Sequence, residues 1–280
     1  MPFGAPRNND NASPLDPTVR AYVNSSVLAE SYDDYFATTP LFKFDCAYLE
    51  SVLDLPRPFE EGYSLLDLGC GTGRHLELAA RHGCRAVGVD LNPHMLDEAK
   101  KRLKRAGIPY SEWPAPAGAE QVRIIAADIT NPPLEADERF NAAIIMFSTL
   151  GLIIGEDQRR RFLSKLAGRM KRGGKIVIHV HNELRAQRLI PPFSRENIEA
   201  LSLRAFGKLF PGDHLQRGYR GVLDLRLHFF TPDELRQLVA ESGFHILDFF
   251  YLNQRRDGPF VGPDRETMAN GFLLTAEVLS

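Results

Sequence analysis

An acid, three alternating glycines and a second acid are the residues of this chain best placed to do chemistry. Asp67-Leu68-Gly69-Cys70-Gly71-Thr72-Gly73 closes a short apolar run, and its glycines let backbone approach a bound molecule where any Cβ would collide. Cys70 meets the loop's need for a small side chain. Asp90 closes a second apolar run, Ala86-Val87-Gly88-Val89, 17 residues past Gly73. A carboxylate there can accept hydrogen bonds from the two hydroxyls of a cofactor ribose. Such an acid could instead cap a helix. Asn92-Pro93 already supplies a cap and first-turn pair for the helix bearing Met95, Leu96, Ala99 and Leu103.

These residues need elements that carry them to one place. Leu65 to Leu68 reads as a buried parallel strand, and Arg74 to His82 as a helix with Leu76, Ala79 and Ala80 on one face and Gly83 at its end. Val122 to Ala127, Phe140 to Phe147 and Lys175 to Val180 read as third, fourth and fifth strands. Alternating strands and helices imply an α/β fold, doubly wound about a mostly parallel sheet with right-handed crossovers. Ligands of such sheets sit beyond the carboxyl ends of the strands, where Gly69, Asp90, Asp128 and Phe147-Ser148 all fall.

The glycine spacing distinguishes two kinds of cofactor. A dinucleotide loop reads G-x-G-x-x-G and brings a pyrophosphate to a helix N-terminus; counted from Gly69, its third glycine would be at Arg74. The pattern here is Asp-x-Gly-x-Gly-x-Gly. S-adenosylmethionine carries no phosphate, and its ammonium is a group that a carboxylate near Asp67 can help hold.

Asp67 to Gly73, Val87 to Asp90 and Ala127-Asp128-Ile129, in that order, resemble the successive motifs of class I S-adenosylmethionine-dependent methyltransferases, over about residues 60–182. The resemblance implies a seven-stranded Rossmann-like sheet with an antiparallel last strand. It implies that Gly69, Gly71 and Gly73 pass under the methionine part of the cofactor. Asp90 would then bind ribose, Asp128 would approach the adenine amino group, and Leu91 and Ile129 would flank the adenine. Met95, Cys70, Phe147 and Ser148 complete the candidate cofactor set. Asn131-Pro132-Pro133-Leu134 looks like a substrate-gripping motif of some amide and adenine methyltransferases. It follows the third strand rather than the fourth and ends in Leu, so it reads as a loop.

Around that core the chain divides into a disordered 1–17, a helical lid over 18–59 with Tyr22, Tyr32, Tyr35 and Phe36, the cofactor half 60–182, an insertion 183–229, and a finish over 230–280. The whole of 18–280 reads as one domain. Thr231-Pro232-Asp233-Glu234 is a capping box that opens a helix ending near Gly243. His245 to Leu252 and Gly271 to Leu279 form a terminal strand pair.

Within the insertion, Leu223 to Phe229 alternates, so Leu223, Leu225 and Leu227 face one way and Asp224, Arg226 and His228 the other. That strand either shields a sheet edge or walls a substrate pocket. An acceptor that must lose a proton needs a base. Candidates are His179, His181, His214, Tyr219 and His228; His181, at the open end of the fifth strand, is the best placed.

Composition narrows the partners. The 280 residues carry 34 basic and 36 acidic side chains, a net charge of −2, with 44% hydrophobic content. The Arg159-Arg160-Arg161 and Lys100 to Arg105 clusters read as solvated helix faces, so no field strong enough for nucleic acid is expected. Cys46, Cys70 and Cys84 have no metal-ligand spacing and form no disulfide framework. No apolar run approaches the roughly 20 residues of a membrane span. Expected, then, is a cytoplasmic enzyme methylating a small molecule at O, N or C, with no metal and no nucleic-acid or membrane partner. An NAD-dependent oxidoreductase and a non-catalytic S-adenosylmethionine-binding regulator are the alternatives.

Overall fold

Two apolar layers follow from strands that are buried on both faces. Successive residues of a strand point to opposite sides, so Leu65 joins one core with Leu76, Leu96 and Ile144, while Leu66 and Leu68 join the other with Phe162, Leu235 and Phe272. The computed structural model describes residues 17–37, 39–53, 55, 62–114, 120–191, 193–219 and 222–279. The segment expected to be disordered lies outside these, apart from Pro17.

Strands β1 (Ser64–Leu68), β2 (Arg85–Asp90), β3 (Tyr110–Glu112), β4 (Val122–Ala126), β5 (Phe140–Ile145) and β6 (Met170–His181) precede the insertion. Its hairpin is β7 (Asp213–Tyr219) and β8 (Val222–His228), and β9 (Phe244–Leu252) and β10 (Gly271–Val278) follow. The main sheet runs β3-β4-β2-β1-β5-β6-β10-β9, parallel except for β10, which is antiparallel to both neighbours. All seven expected strands are present in the expected arrangement. An eighth, β3, extends the edge beside β4; its three residues, Tyr-Ser-Glu, are too few and too polar to show a pattern.

Helices α1 (Pro17–Val23), α2 (Ser26–Ala37) and α3 (Leu41–Val52) come first. Next are α4 (Arg74–Arg81), α5 (Pro93–Arg105) and α6 (Glu156–Ala167). Then follow α7 (Glu183–Leu189), α8 (Arg195–Ala205), α9 (Pro232–Glu241) and α10 (Arg265–Met268). The Asn92 carboxamide caps α5 by accepting from the backbone N–H groups of His94 and Met95. Thr231 and Glu234 form the expected capping box on α9. Helix α2 docks on α5 through Leu28, Ala29 and Met95, which places the lid over the carboxyl ends of β2 and β4. Among the described residues no helix is long and apolar enough to cross a membrane.

The insertion hairpin differs from the expected half-exposed strand. Leu225 and Leu227 are buried, but so are Arg226 and His228 on the other face, because Asp213 and Glu234 meet them there. The hairpin pairs with neither edge of the main sheet. Strand β8 packs instead against α1 and the 3₁₀ turn Thr149–Leu152, and Gly151 permits the approach: a Cβ there would lie 2.4 Å from the His228 carbonyl oxygen.

Candidate functional site

A cavity of about 1190 Å³ opens at the carboxyl ends of β1, β2, β4 and β5. Of the residues singled out by sequence, it is lined by Gly69, Cys70, Gly71, Asp90, Leu91, Met95, Asp128, Ile129 and Phe147. Asp67, Gly73, Ser148 and His181 are not among its lining residues.

The glycines divide the work. Gly69, at φ +86°, makes room for Thr149: a Cβ would sit 2.6 Å from the threonine methyl. Gly71 faces open space, and its N–H donates to Asp90 Oδ2 at 2.8 Å. Gly73 lets α4 approach α5, since a Cβ would lie 2.8 Å from that of Ala99. The third glycine therefore serves helix packing rather than the cavity.

Asp90 ties two loops together. Its Oδ1 accepts from the Asn92 N–H at 2.8 Å while Oδ2 holds Gly71. Burial raises its pKa, against backbone donors from Asn92, Gly71 and Leu91 that lower it. Asp128 is held similarly, its Oδ1 accepting from the Thr130 N–H and hydroxyl, each at 2.8 Å. Two anchored carboxylates thus line one cavity beside bare backbone.

Asp67 lies deeper. It is fully buried, and neither carboxylate oxygen has a hydrogen-bond partner among the described residues; His75 Nδ1 is 3.9 Å away. Burial, reinforced by the charges of Asp90 and Asp45, pushes its pKa up to about 8. Asp67 lies beneath the loop and is not among the residues that line the cavity.

Arg74 does reach the cavity. Its guanidinium forms a fork with Asp45, both N···O distances 2.5 Å, donates to the Phe42 carbonyl at 2.9 Å, and lies 3.9 Å over the Phe42 ring. Burial alone would raise the Asp45 pKa, but Arg74 and His75 hold it down at about 2. Asp45, Cys46 and His75 bring potential metal-ligand atoms together. The Arg74 guanidinium already bonds two of the three, Asp45 and Cys46, donating to Cys46 Sγ at 3.0 Å, and burial pushes that thiol up to about 11.

Phe147 and Ser148 adopt positive φ values of 53° and 63°, strain of about 1–3 kcal/mol each, in the turn that swings Phe147 into the cavity. Ser148 points inward, its hydroxyl buried and unpartnered among the described residues, while its N–H donates to the His179 carbonyl at 2.9 Å. A series of rings leads away from Phe147 through His179, His181 and Phe229 to His214, with successive centroids 5.8, 5.9, 5.0 and 4.6 Å apart. His181 is half-buried and makes no ring hydrogen bond among the described residues. Burial, then the charges of Arg256 and Arg185, bring its pKa down to about 4. Of the other candidate bases, two are engaged with carboxylates. His214 pairs with Glu183, His228 lies between Asp213 and Glu234, His179 is buried, and the Tyr219 side chain lies outside the described residues.

The lid tyrosines Tyr22 and Tyr32, expected from the sequence, are in the lining, while the residues of the 3₁₀ turn and of α6 give no such signal. Val19, Tyr22 and Val23 of α1 and Tyr32 of α2 cover the cavity, as do Leu152, Ile153 and Ile154; Gln158, Arg161, Phe162 and Lys165 line it from α6. The Tyr35 and Phe36 side chains lie outside the described residues. Asp33 of α2 accepts from the Thr72 hydroxyl at 2.7 Å and pairs with Arg102, tying the lid to the glycine loop. The arginine run is not a solvated face. Arg159 is buried, donating to the Ile153 carbonyl, Arg160 pairs with Glu156 and Glu241, and Arg161 faces the cavity.

A nucleoside cofactor fits these groups. Gly71 leaves room where any side chain would intrude, Asp90 and Asp128 offer acceptors for hydroxyl and amino groups, and Leu91, Met95 and Ile129 offer apolar surface. Comparisons with known proteins agree. A family model described as a methyltransferase domain matches residues 65–174. A demethylmenaquinone methyltransferase of Tropheryma whipplei (strain Twist) is 27% identical over 183 residues, 65% of this chain and 66% of that protein; the chain thus matches just under two thirds of its length. A ubiquinone biosynthesis O-methyltransferase of Rhizobium etli is 26% identical over 250 residues, 85% of this chain and 84% of the relative. Among solved structures, the CcbJ methyltransferase of Streptomyces caelestis superposes with a TM-score of 0.62 at 15% identity, covering 92% of this chain and 99% of that one, a likeness of fold.

Proposed function

Because this chain belongs to the class I S-adenosylmethionine-dependent methyltransferases, we propose that it methylates a small-molecule acceptor at the mouth of the cavity described above. The observation that carries this reading is the convergence of Gly69, Gly71, Asp90 and Asp128 on one cavity. S-adenosylmethionine supplies an activated methyl group on a sulfonium, so the chain has to position an acceptor and exclude water. Asp90 would hold the ribose hydroxyls, Asp128 the adenine amino group, and Leu91 and Ile129 the faces of the base. Tyr22 and Tyr32 close the lid side.

At about 1190 Å³ the cavity exceeds the ~300–1,000 Å³ typical of one small ligand, which leaves room for an acceptor beside the cofactor. Its remaining walls set Val19, Val23, Leu152, Ile153, Ile154 and Phe162 beside Gln158, Arg161 and Lys165, which suits an acceptor with an apolar ring or chain that also carries polar or anionic substituents. The relatives named for demethylmenaquinone and ubiquinone biosynthesis are consistent with that class.

For an acceptor that must lose a proton, His181 takes it on a free ring nitrogen. Two features support this assignment, an unengaged ring and a pKa near 4 that keeps the imidazole neutral at pH 7; the ring stands at the half-buried end of β6, outside the cavity lining, so it serves only an acceptor that extends there. The base is active when unprotonated, so activity should hold above about pH 5 and fall as pH drops through 4.

Calorimetry with S-adenosylmethionine and with NAD, followed by transfer of labelled methyl groups to metabolite fractions, tests the reading. Binding of the methyl donor alone, with transfer, is expected; affinity for NAD and none for the donor would overturn it. His181→Ala should lower turnover about 10²- to 10⁴-fold with the donor's Kd unchanged. Normal turnover would remove His181 from the mechanism.

A further inference from the structure

Among the described residues, the insertion presents an apolar surface that no other element covers. Leu189, Phe193, Ile198, Leu201 and Phe206 are 56%, 91%, 56%, 54% and 76% exposed, and none of the described side chains of α8 is buried. Ile198, Leu201 and Ala205 fall at i, i+3 and i+7, one stripe of the helix, while Phe193 and Phe206 stand at its two ends. At 11 residues the helix is marginal on its own hydrogen bonds; Arg204 ties it to the Asp213 carbonyl at 3.2 Å, and its apolar stripe is left exposed.

Charge selects the partner. The chain as a whole is slightly acidic, yet residues 184–210 contain five basic side chains and two acidic ones. Arg188, Arg195 and Lys208 are exposed, and no acidic side chain described in that segment is as open to solvent. Pairing with a second copy through this face would bring like charges together. An anionic surface would take the basic side chains and the apolar stripe at once, as interfacial helices do.

We propose that α8 and its flanking phenylalanines dock this protein on an anionic lipid bilayer. The contact is peripheral and needs no spanning helix. It revises the expectation, drawn from the lack of any apolar run of spanning length, that membranes play no part.

Sedimentation of the full chain with vesicles tests the proposal. Association with phosphatidylglycerol-containing vesicles is expected, weakening as salt rises, together with at least tenfold weaker association for phosphatidylcholine alone. The double variant Phe193→Ser/Phe206→Ser should lose the association at least tenfold while keeping its melting temperature and its S-adenosylmethionine affinity, since neither residue lines the cavity. Arg195→Gln/Lys208→Gln should flatten the salt dependence. Failure of the wild-type chain to bind anionic vesicles, or equal binding by the serine variant, would overturn the proposal. So would a lipid-free dimer that the serine variant dissociates, which would assign the face to self-association.

Discussion

Asp90→Ala is expected to raise the Kd for S-adenosylmethionine by one to two orders of magnitude or more. Hydrogen bonds to a charged acceptor contribute about 1.5–3 kcal/mol, and every 1.4 kcal/mol is a factor of about ten. A ribose offering two hydroxyls to this carboxylate would lose at least one such contact. The loss extends beyond the ligand, because Asp90 also holds the Gly71 and Asn92 N–H groups at 2.8 Å each, and with them the shape of the loop between β1 and α4. Asp90→Asn keeps one carbonyl acceptor and much of that shape, so its Kd should fall between those of wild type and the alanine variant. Isothermal titration of the three proteins checks the order. An alanine variant that binds like wild type would refute the ribose assignment, whatever its turnover.

The legible part of this site is the part made by backbone. An apolar strand, a turn on alternating glycines, and an acid at the end of the next strand impose their geometry locally, so Gly69, Gly71 and Asp90 are legible from spacing and Asp128 from its place after the third strand, while Leu91 and Ile129 are legible through the family resemblance. Gly73 was legible as a glycine of the loop, but its reason, contact with Ala99, depends on how α5 packs. Ser148 and Asp67 were legible as positions at strand ends and not as side-chain directions, which the strained turn at Phe147 and the burial beneath the loop decide. The lid contacts of Asp33 and Tyr22 depend on tertiary docking and leave no periodic signal. Arg74 did leave one: a cation in the first turn of a helix opposes the macrodipole, which asks for a compensating carboxylate, here Asp45. The arginine run was misread because three consecutive residues on a helix point in three directions. Only packing shows that Arg159 goes inward, Arg160 outward and Arg161 into the cavity.

The buried network that replaces the expected polar face of β8 leads to the second large effect. Asp213 accepts from Arg226 Nε at 2.8 Å and Nη2 at 2.5 Å, from His228 Nδ1 at 2.8 Å and from the Phe210 N–H at 3.1 Å. Removing one partner of a buried charge cluster costs about 3–5 kcal/mol, because the Arg226 and His228 nitrogens that faced Asp213 lose their carboxylate acceptor. Asp213→Ala should therefore lose about that much in denaturant unfolding at pH 6. Because Arg159 of the same cluster holds the Ile153 carbonyl at 3.0 Å and the His228 backbone presses on Gly151, the cavity wall should loosen and donor affinity should fall as well.

The sign of the pH dependence follows from two opposed groups. Burial alone would lower the pKa of His228, but Asp213 and Glu234 outweigh it and raise the value. Its contribution is thus complete below its unfolded pKa of about 6.5 and is lost as pH rises through the raised folded value. Burial would raise the pKa of Asp213, but His228 and Arg226 lower it, so its contribution is complete above about 3.9 and is lost as pH falls through the lowered folded value. Both are present between roughly pH 4 and 6.5. The stability gap between wild type and Asp213→Asn should be widest in that window and should narrow toward pH 9 as His228 deprotonates. Urea midpoints measured for both proteins from pH 5 to 9 decide it. A gap that stays constant across the range would show that His228 is not an imidazolium held between two carboxylates.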